Sequence, residues 1–134
     1  MVKKISHIGI AVESLEDQIP FYRDILGLKF SGTEVVNDQK VKVAFFEVGD
    51  TRIELLEATD DDSPIAKFIA KKGQGIHHMA YMVDDCQMAL NKMDENGIRL
   101  IDVNPRIGAG GHKIGFLHPK ATFGILTELT EEHE

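Results

Sequence analysis

Two short, mostly apolar runs resemble each other, Ile5-Ser6-His7-Ile8-Gly9-Ile10-Ala11-Val12 and Ile76-His77-His78-Met79-Ala80-Tyr81-Met82-Val83, each with a histidine at its third position. Runs of this length and apolar content predict strands. Each run gives way to a polar start and then to apolar residues three and four apart, the spacing of a helix buried along one stripe. The runs begin 71 residues apart, about half of the 134-residue chain, which marks an internal duplication. Both halves also close on an alternating segment with one carboxylate, Ile53-Glu54-Leu55 in the first and Leu126-Thr127-Glu128-Leu129 in the second. The repeated unit is therefore a strand, a helix and a meander of strands.

The first helix is predicted from Ser14, whose hydroxyl can cap the amide of Asp17, to Gly27, with Leu15, Ile19, Tyr22 and Leu26 on its buried stripe. Pro20 falls inside that pattern and removes a backbone donor, so it predicts a kink or a displaced start. The second helix is capped by Asp84 or Asp85, buries Cys86, Ala89, Leu90 and Met93, and stops at Gly97. Between the halves, Asp60-Asp61-Asp62-Ser63-Pro64 leads into Ile65, Phe68 and Ile69 at helical spacing, and Lys71-Lys72-Gly73 ends the segment. Acids before the helix, proline at its first position and bases in its last turn suit the helix dipole. This is a linking helix over residues 63–73, and the three consecutive aspartates are its solvated entry rather than a cation site. The expectation is a single domain, 1–134, made of modules 1–59 and 74–134.

Composition adds exclusions. The chain is 43% hydrophobic and 28% charged, ordinary for a globular protein. Its 15 Lys plus Arg against 22 Asp plus Glu give a net charge of −7, the wrong sign for neutralising phosphates, so no nucleic-acid partner is expected. No apolar run approaches the roughly 20 residues of a membrane span, and Met1-Val2-Lys3-Lys4-Ile5 lacks a secretory apolar stretch. A cytoplasmic protein without a membrane partner is expected. The lone Cys86 permits neither an intrachain disulfide nor a thiolate cluster and reads as core. Any metal has to be held by His and carboxylate.

Strand parity then separates the histidines. Ile5, His7, Gly9 and Ala11 share one face of the first strand, opposite the bulkier Ser6, Ile8, Ile10 and Val12 that a helix would cover. His7 thus lies beside small residues that leave room for a ligand. In the second half His78 sits with Ala80 and Met82, while His77 falls on the other face with Met79, Tyr81 and Val83. Glu54 alternates against Ile53 and Leu55, and Glu128 against Thr127 and Leu129. Two imidazoles and two carboxylates at repeat-related places suit a divalent ion such as Co²⁺, Ni²⁺, Mn²⁺ or Zn²⁺. On an octahedral ion they would leave two positions for water or substrate. His77 and His118 read as packed or hydrogen-bonded residues, His112 as a loop residue and His133 as part of a tail.

With these residues in view, the paired His and Glu on duplicated strand-helix-strand units resemble the vicinal oxygen chelate superfamily. Within it the chain resembles the methylmalonyl-CoA epimerase family over nearly its whole length. The segments that carry the likeness include His7-Ile-Gly-Ile-Ala-Val12, Glu54-Leu-Leu56, Asp62-Ser-Pro-Ile-Ala-Lys-Phe68, Gly75-Ile-His-His78-Met-Ala-Tyr81, Ile107-Gly-Ala-Gly-Gly111, Phe116-Leu-His-Pro-Lys120 and Gly124-Ile-Leu-Thr-Glu-Leu129. The quartet speaks for the superfamily. The Asp-Ser-Pro-Ile-Ala segment and the Phe-Leu-His-Pro-Lys turn favour the epimerase.

The resemblance implies an α+β fold in which two tandem βαβββ modules form a concave mixed sheet around a metal site. It implies His7, Glu54, His78 and Glu128 as ligands of one divalent ion per chain, Co²⁺ first and Ni²⁺, Mn²⁺ or Zn²⁺ as substitutes. It implies an acyl-CoA substrate and a homodimer. The activity would be interconversion of (2R)- and (2S)-methylmalonyl-CoA, by 1,1-proton transfer at C2 through a metal-stabilised enolate. Some members carry Gln at the position of Glu54 and a separate acid on the preceding strand; here Val41 to Phe46 has no carboxylate, and Glu47 is the nearest. Glu54 and Glu128 are then the acid-base candidates, with Glu47 as fallback. Lys120 and the loop glycines Gly108, Gly110 and Gly111 are candidate contacts for the substrate's CoA tail. A glyoxalase I-like isomerase is the nearest rival, since the quartet suits both. A metal-free binding module of the bleomycin-resistance kind is another.

Overall fold

In a computed structural model the described residues are 1–133, and they form two compact units: His7–His77, and Met1–Ser6 together with the chain from His78 onward. The unit His7–His77 contains most of β1 (Val2–Ala11), then α1 (Leu15–Pro20), β2 (Lys29–Val36), β3 (Val41–Val48), β4 (Thr51–Ala58), α2 (Pro64–Lys72) and the opening of β5 (Gly75–Val83). Its strands run in the order β1-β4-β3-β2, parallel between β1 and β4 and antiparallel otherwise. Register makes two faces. Ile10, Leu55 and Ala44 form one row, and with Val12, Leu15 and Phe46 they build the core against which Ile19, Tyr22 and Phe30 pack. The opposite face carries His7, Gly9 and Ala11, paired in register with Arg52, Glu54 and Leu56.

Ser14 accepts the amide of Asp17 at 3.2 Å, the cap expected from the sequence. The helix does not run on to Gly27 as a single α-helix. It ends at Pro20, and Phe21–Ile25 continues as a π-helical turn, the Leu26 amide reaching the Phe21 carbonyl at 2.9 Å. Proline has no N–H for the carbonyl four residues back, and its ring crowds that carbonyl, so the backbone widens here. Widening shifts the phase of the stripe. Leu26 is consequently 53% exposed, and Leu28 packs on the core in its place.

α2 begins with Ser63, whose hydroxyl accepts the Ile65 amide at 3.2 Å, and ends at Gly73. The aspartates ahead of it are exposed, and Asp62 pairs with Lys40. No described helix is long and apolar enough to cross a membrane.

The other unit holds β5 from His78, α3 (Cys86–Glu95), β6 (Arg106–Ile107), β7 (Lys113–Leu117) and β8 (Thr127–Glu131). Its strand order, β5-β8-β7-β6, is that of the first module, again with one parallel pair, β5 and β8. Of the two possible caps Asp85 is used: its carboxylate accepts the Met88 amide at 3.0 Å. Cys86, Ala89 and Leu90 of α3 pack with Val83, Leu117 and Leu129, and Met93 lies at the edge of this cluster. Gly115 lets α3 approach β7, because a β-carbon there would lie 2.7 Å from Leu90 Cδ1.

Burial, with the nearby Glu131 carboxylate, pushes the Cys86 thiol up to about 11. It stays protonated and shielded at ordinary pH. Cys86 is therefore expected to resist iodoacetamide in the folded protein at about pH 8 and to be alkylated once the chain is denatured. Intact-mass measurement checks this, and rapid labelling of the folded protein would contradict the packing described.

Candidate metal and acid-base site

Both modules pair an imidazole with a carboxylate in the same way. In the first, β1 and β4 run parallel with Gly9 opposite Glu54, so His7 and Glu54 point from one face two residues out of step. His7 Nδ1 lies 3.3 Å from Glu54 Oε2. In the second, β5 and β8 place Ala80 opposite Glu128, and His78 Nε2 lies 3.5 Å from Glu128 Oε1. Gly9 and Ala80 are what make room, since a larger residue directly across from either carboxylate would occupy the space above the sheet. All four side chains are buried, at 5% exposure for each histidine, 3% for Glu54 and 4% for Glu128. Buried carboxylates need a compensating partner.

The donor chemistry fits a divalent ion. Two ligands about 2.1 Å from one ion and at right angles stand about 3.0 Å apart. The separations within the half-sites, 3.3 and 3.5 Å, are close to that figure. His7, His78 and Glu128 are buried residues with the chemistry to hold a metal ion, and Glu54 has the same chemistry and burial. Imidazole nitrogen with carboxylate oxygen suits Co²⁺, Ni²⁺, Mn²⁺ or Zn²⁺. Phe116, which stands opposite Glu128 on β7, holds the His78 ring edge-on at a centroid distance of 5.6 Å.

Glu47 is exposed at the end of β3, where Ser31 at 2.9 Å and Lys29 at 3.2 Å hold its carboxyl below the usual range. Lys120 is exposed in a short turn, and its amide donates to His118 Nδ1 at 3.1 Å. In the glycine loop the Gly108 amide donates to the His112 carbonyl and the Gly111 amide to the Gly108 carbonyl. Gly108 is buried, and a β-carbon there would meet Ile114 Cδ1 at 2.7 Å. Gly110 and Gly111 have φ of 75 and 76°, conformations that favour glycine. His77 packs edge-on against Phe68, and burial beside Lys72 pushes its pKa down to about 4, so it is neutral at ordinary pH.

One residue of this face is absent from the sequence reading. Arg52, two positions before Glu54 and therefore on its side of β4, donates from Nε and Nη2 to Glu54 Oε2, at 3.3 Å each. Parity alone could have found it, since a guanidinium at i−2 of a strand carboxylate shares its face. In the other module Arg106 lies over the Phe116 ring, 5.3 Å from its centroid, and ion-pairs with Asp102 at 3.3 Å.

Comparison with known proteins identifies the family and the fold. Residues 6–116 match the family model described as the Glyoxalase/Bleomycin resistance protein/Dioxygenase superfamily. The Bacillus subtilis protein YqjC, itself uncharacterized, is 45% identical over 97% of this chain and 93% of its own length. The human mitochondrial methylmalonyl-CoA epimerase is 38% identical over 96% of this chain and 73% of its own. A Streptomyces coelicolor methylmalonyl-CoA epimerase variant, solved in complex with 2-nitronate-propionyl-CoA, superposes with a TM-score of 0.93 at 36% identity, covering 98% of this chain and 96% of that one. The mixed-sheet α+β fold is thus that of the epimerase structures. With its duplicated His and Glu pairs, the chain belongs to the glyoxalase/bleomycin resistance/dioxygenase superfamily and, within it, to the methylmalonyl-CoA epimerase family.

Proposed function

We propose that this protein is a metal-dependent epimerase that interconverts (2R)- and (2S)-methylmalonyl-CoA. The observation that carries the reading is the matched pair of half-sites, a buried imidazole beside a buried carboxylate at the same strand register in both modules. In this reading the modules 1–59 and 74–134 act as one domain, and His7, Glu54, His78 and Glu128 hold a single divalent ion, Co²⁺ before Ni²⁺, Mn²⁺ or Zn²⁺. When bound, the ion supplies positive charge for the thioester carbonyl and carboxylate oxygens that flank C2. The structural relative's ligand supports the substrate class, because a nitronate is a planar anion that resembles an enolate.

The protein's own groups move the proton. C2 carries the hydrogen that is lost and regained, and its enolate is planar, so inversion requires a proton acceptor on one face and a donor on the other. Glu54 and Glu128, one per module, take these roles, and at least one of them would be free of the ion when it carries the proton. Both are buried, so the proton is delivered to C2 by a carboxyl group rather than directly by bulk water, and solvent deuterium enters through exchange of that carboxyl. Glu47 is the fallback base, already engaged by Ser31 and Lys29. Lys120 and the loop of Gly108, Gly110 and Gly111 meet the CoA tail. The reading also carries a cytoplasmic homodimer, for which light scattering is the check.

The test is incubation of each pure epimer with the cobalt-loaded protein in D2O, with a glutathione hemithioacetal as a parallel substrate. Inversion at C2 with deuterium uptake, and no hemithioacetal turnover, is the expected outcome. Turnover of the hemithioacetal without inversion would replace the reading by a glyoxalase-type isomerase. Absence of both activities, with no retained metal, would leave a binding module.

A further inference from the structure

The duplication is not symmetric at the residue that precedes each carboxylate by two. In the first module that residue is Arg52, and in the second it is Leu126. Arg52 lies on β4 on the same face as Glu54, whereas Leu126 stands just ahead of β8 and is apolar, so only Glu54 receives a guanidinium from two residues before it. Nε and Nη2 of Arg52 both reach Oε2, the oxygen that faces His7. The Arg52 side chain is 28% exposed, against 4% for that of Glu54, so the guanidinium spans from the surface to the buried carboxylate.

Two consequences follow from elementary electrostatics. An arginine is charged at every working pH, so an oxygen that accepts two of its N–H groups gives up part of its charge and is a weaker ligand for a cation. A carboxylate that leaves a cation needs a counter-charge and a fixed direction, and Arg52 supplies both. The geometry points to Arg52 as a positioning residue for Glu54: by holding Oε2 from the same strand, it makes Glu54, rather than Glu128, the carboxylate that detaches to carry the C2 proton. This rests on the epimerase reading, whereas the effect on ion affinity does not.

The experiment compares Arg52→Leu, which copies the second module, with Arg52→Lys. Ion affinity is read by competition between the protein and a chromophoric chelator for Co²⁺, and kcat and KM are read with methylmalonyl-CoA. Arg52→Leu is expected to bind Co²⁺ about 5- to 10-fold more tightly, because a repelling charge is gone. Its kcat is expected to fall about 10- to 100-fold with KM within about threefold, less than the roughly 10²- to 10⁴-fold of losing the proton carrier itself, because Glu54 remains but is no longer held. Arg52→Lys, which keeps the charge, is expected to recover most of kcat and to restore the wild-type affinity. If Arg52→Leu melts early, Arg52→Gln takes its place in the comparison.

A loss confined to KM would make Arg52 a substrate contact and overturn the proposal, as would an unchanged kcat. Unchanged or weaker Co²⁺ binding would also overturn it. If the wild-type protein fails to epimerise methylmalonyl-CoA, the functional reading falls, while tighter Co²⁺ binding by Arg52→Leu still upholds the tether on Glu54 and its absence removes it.

Discussion

Glu54→Gln is expected to lower the epimerisation rate by about 10²- to 10⁴-fold, the usual worth of a positioned acid or base, and to do so unequally for the two epimers. Glutamine keeps an oxygen at the same place and the same side-chain length, so His7, His78 and Glu128 are left undisturbed. It cannot accept a proton. The epimer whose C2 hydrogen faces Glu128 is then expected to exchange that hydrogen with D2O and return unchanged in configuration, because nothing delivers a proton to the other face. The opposite epimer is expected neither to exchange nor to invert. Glu128→Gln should show the mirror pattern, with exchange confined to the other epimer. Proton NMR of each epimer in D2O, with each variant, reads all four cases. Equal exchange of both epimers would contradict a division of labour between the modules, and undiminished epimerisation in both variants would remove the two carboxylates from the chemistry. Glu47→Gln serves as the contrast: its exposed carboxyl, already paired with Ser31 and Lys29, is expected to be replaceable with a small effect.

Removal of the ion is expected to have the next largest effect. Prolonged dialysis against a strong chelator should cost about 10³-fold or more in activity, since the flanking oxygens of the substrate lose their charge stabilisation. Readdition of Co²⁺ should restore it. Stability should follow the same course. The four side chains are 3 to 5% exposed, and without a cation each half-site keeps a buried carboxylate beside an imidazole. A ligand present at about 1,000 times its dissociation constant stabilises the folded state by about 4 kcal/mol. For a chain of this size that corresponds to a melting temperature higher by roughly 15 °C. Calorimetry of the stripped and reloaded protein tests this. Full activity in protein shown to be metal-free would contradict it.

Much of this organisation is legible in the sequence because duplication and strand parity are local signals. The run from Ile5 to Val12 and its counterpart from Ile76 to Val83 announce the strands, and parity puts His78 on a different face from His77, which packs on Phe68. The caps at Ser14, Ser63 and Asp85 are equally local. What escapes the sequence depends on longer-range geometry. The register that sets Gly9 opposite Glu54 and Ala80 opposite Glu128 joins residues far apart along the chain, and no periodicity encodes it. The π-helical turn after Pro20 is a backbone response with two outcomes open to it, and it alone decides that Leu28 replaces Leu26 in the core. Arg52 went unread for another reason. Attention to ligand-type residues passes over a cation whose part is to hold a ligand.

The account depends on one cation held jointly by His7, Glu54, His78 and Glu128. X-ray absorption at the cobalt edge, on protein loaded to saturation and analysed for metal content, tests this most directly. One cobalt per chain is expected, with two imidazoles in its outer-shell scattering and oxygen in the remaining positions, and with one imidazole lost in His7→Ala and in His78→Ala. Two cobalts per chain, or a single cobalt whose spectrum contains one imidazole or none, would contradict it.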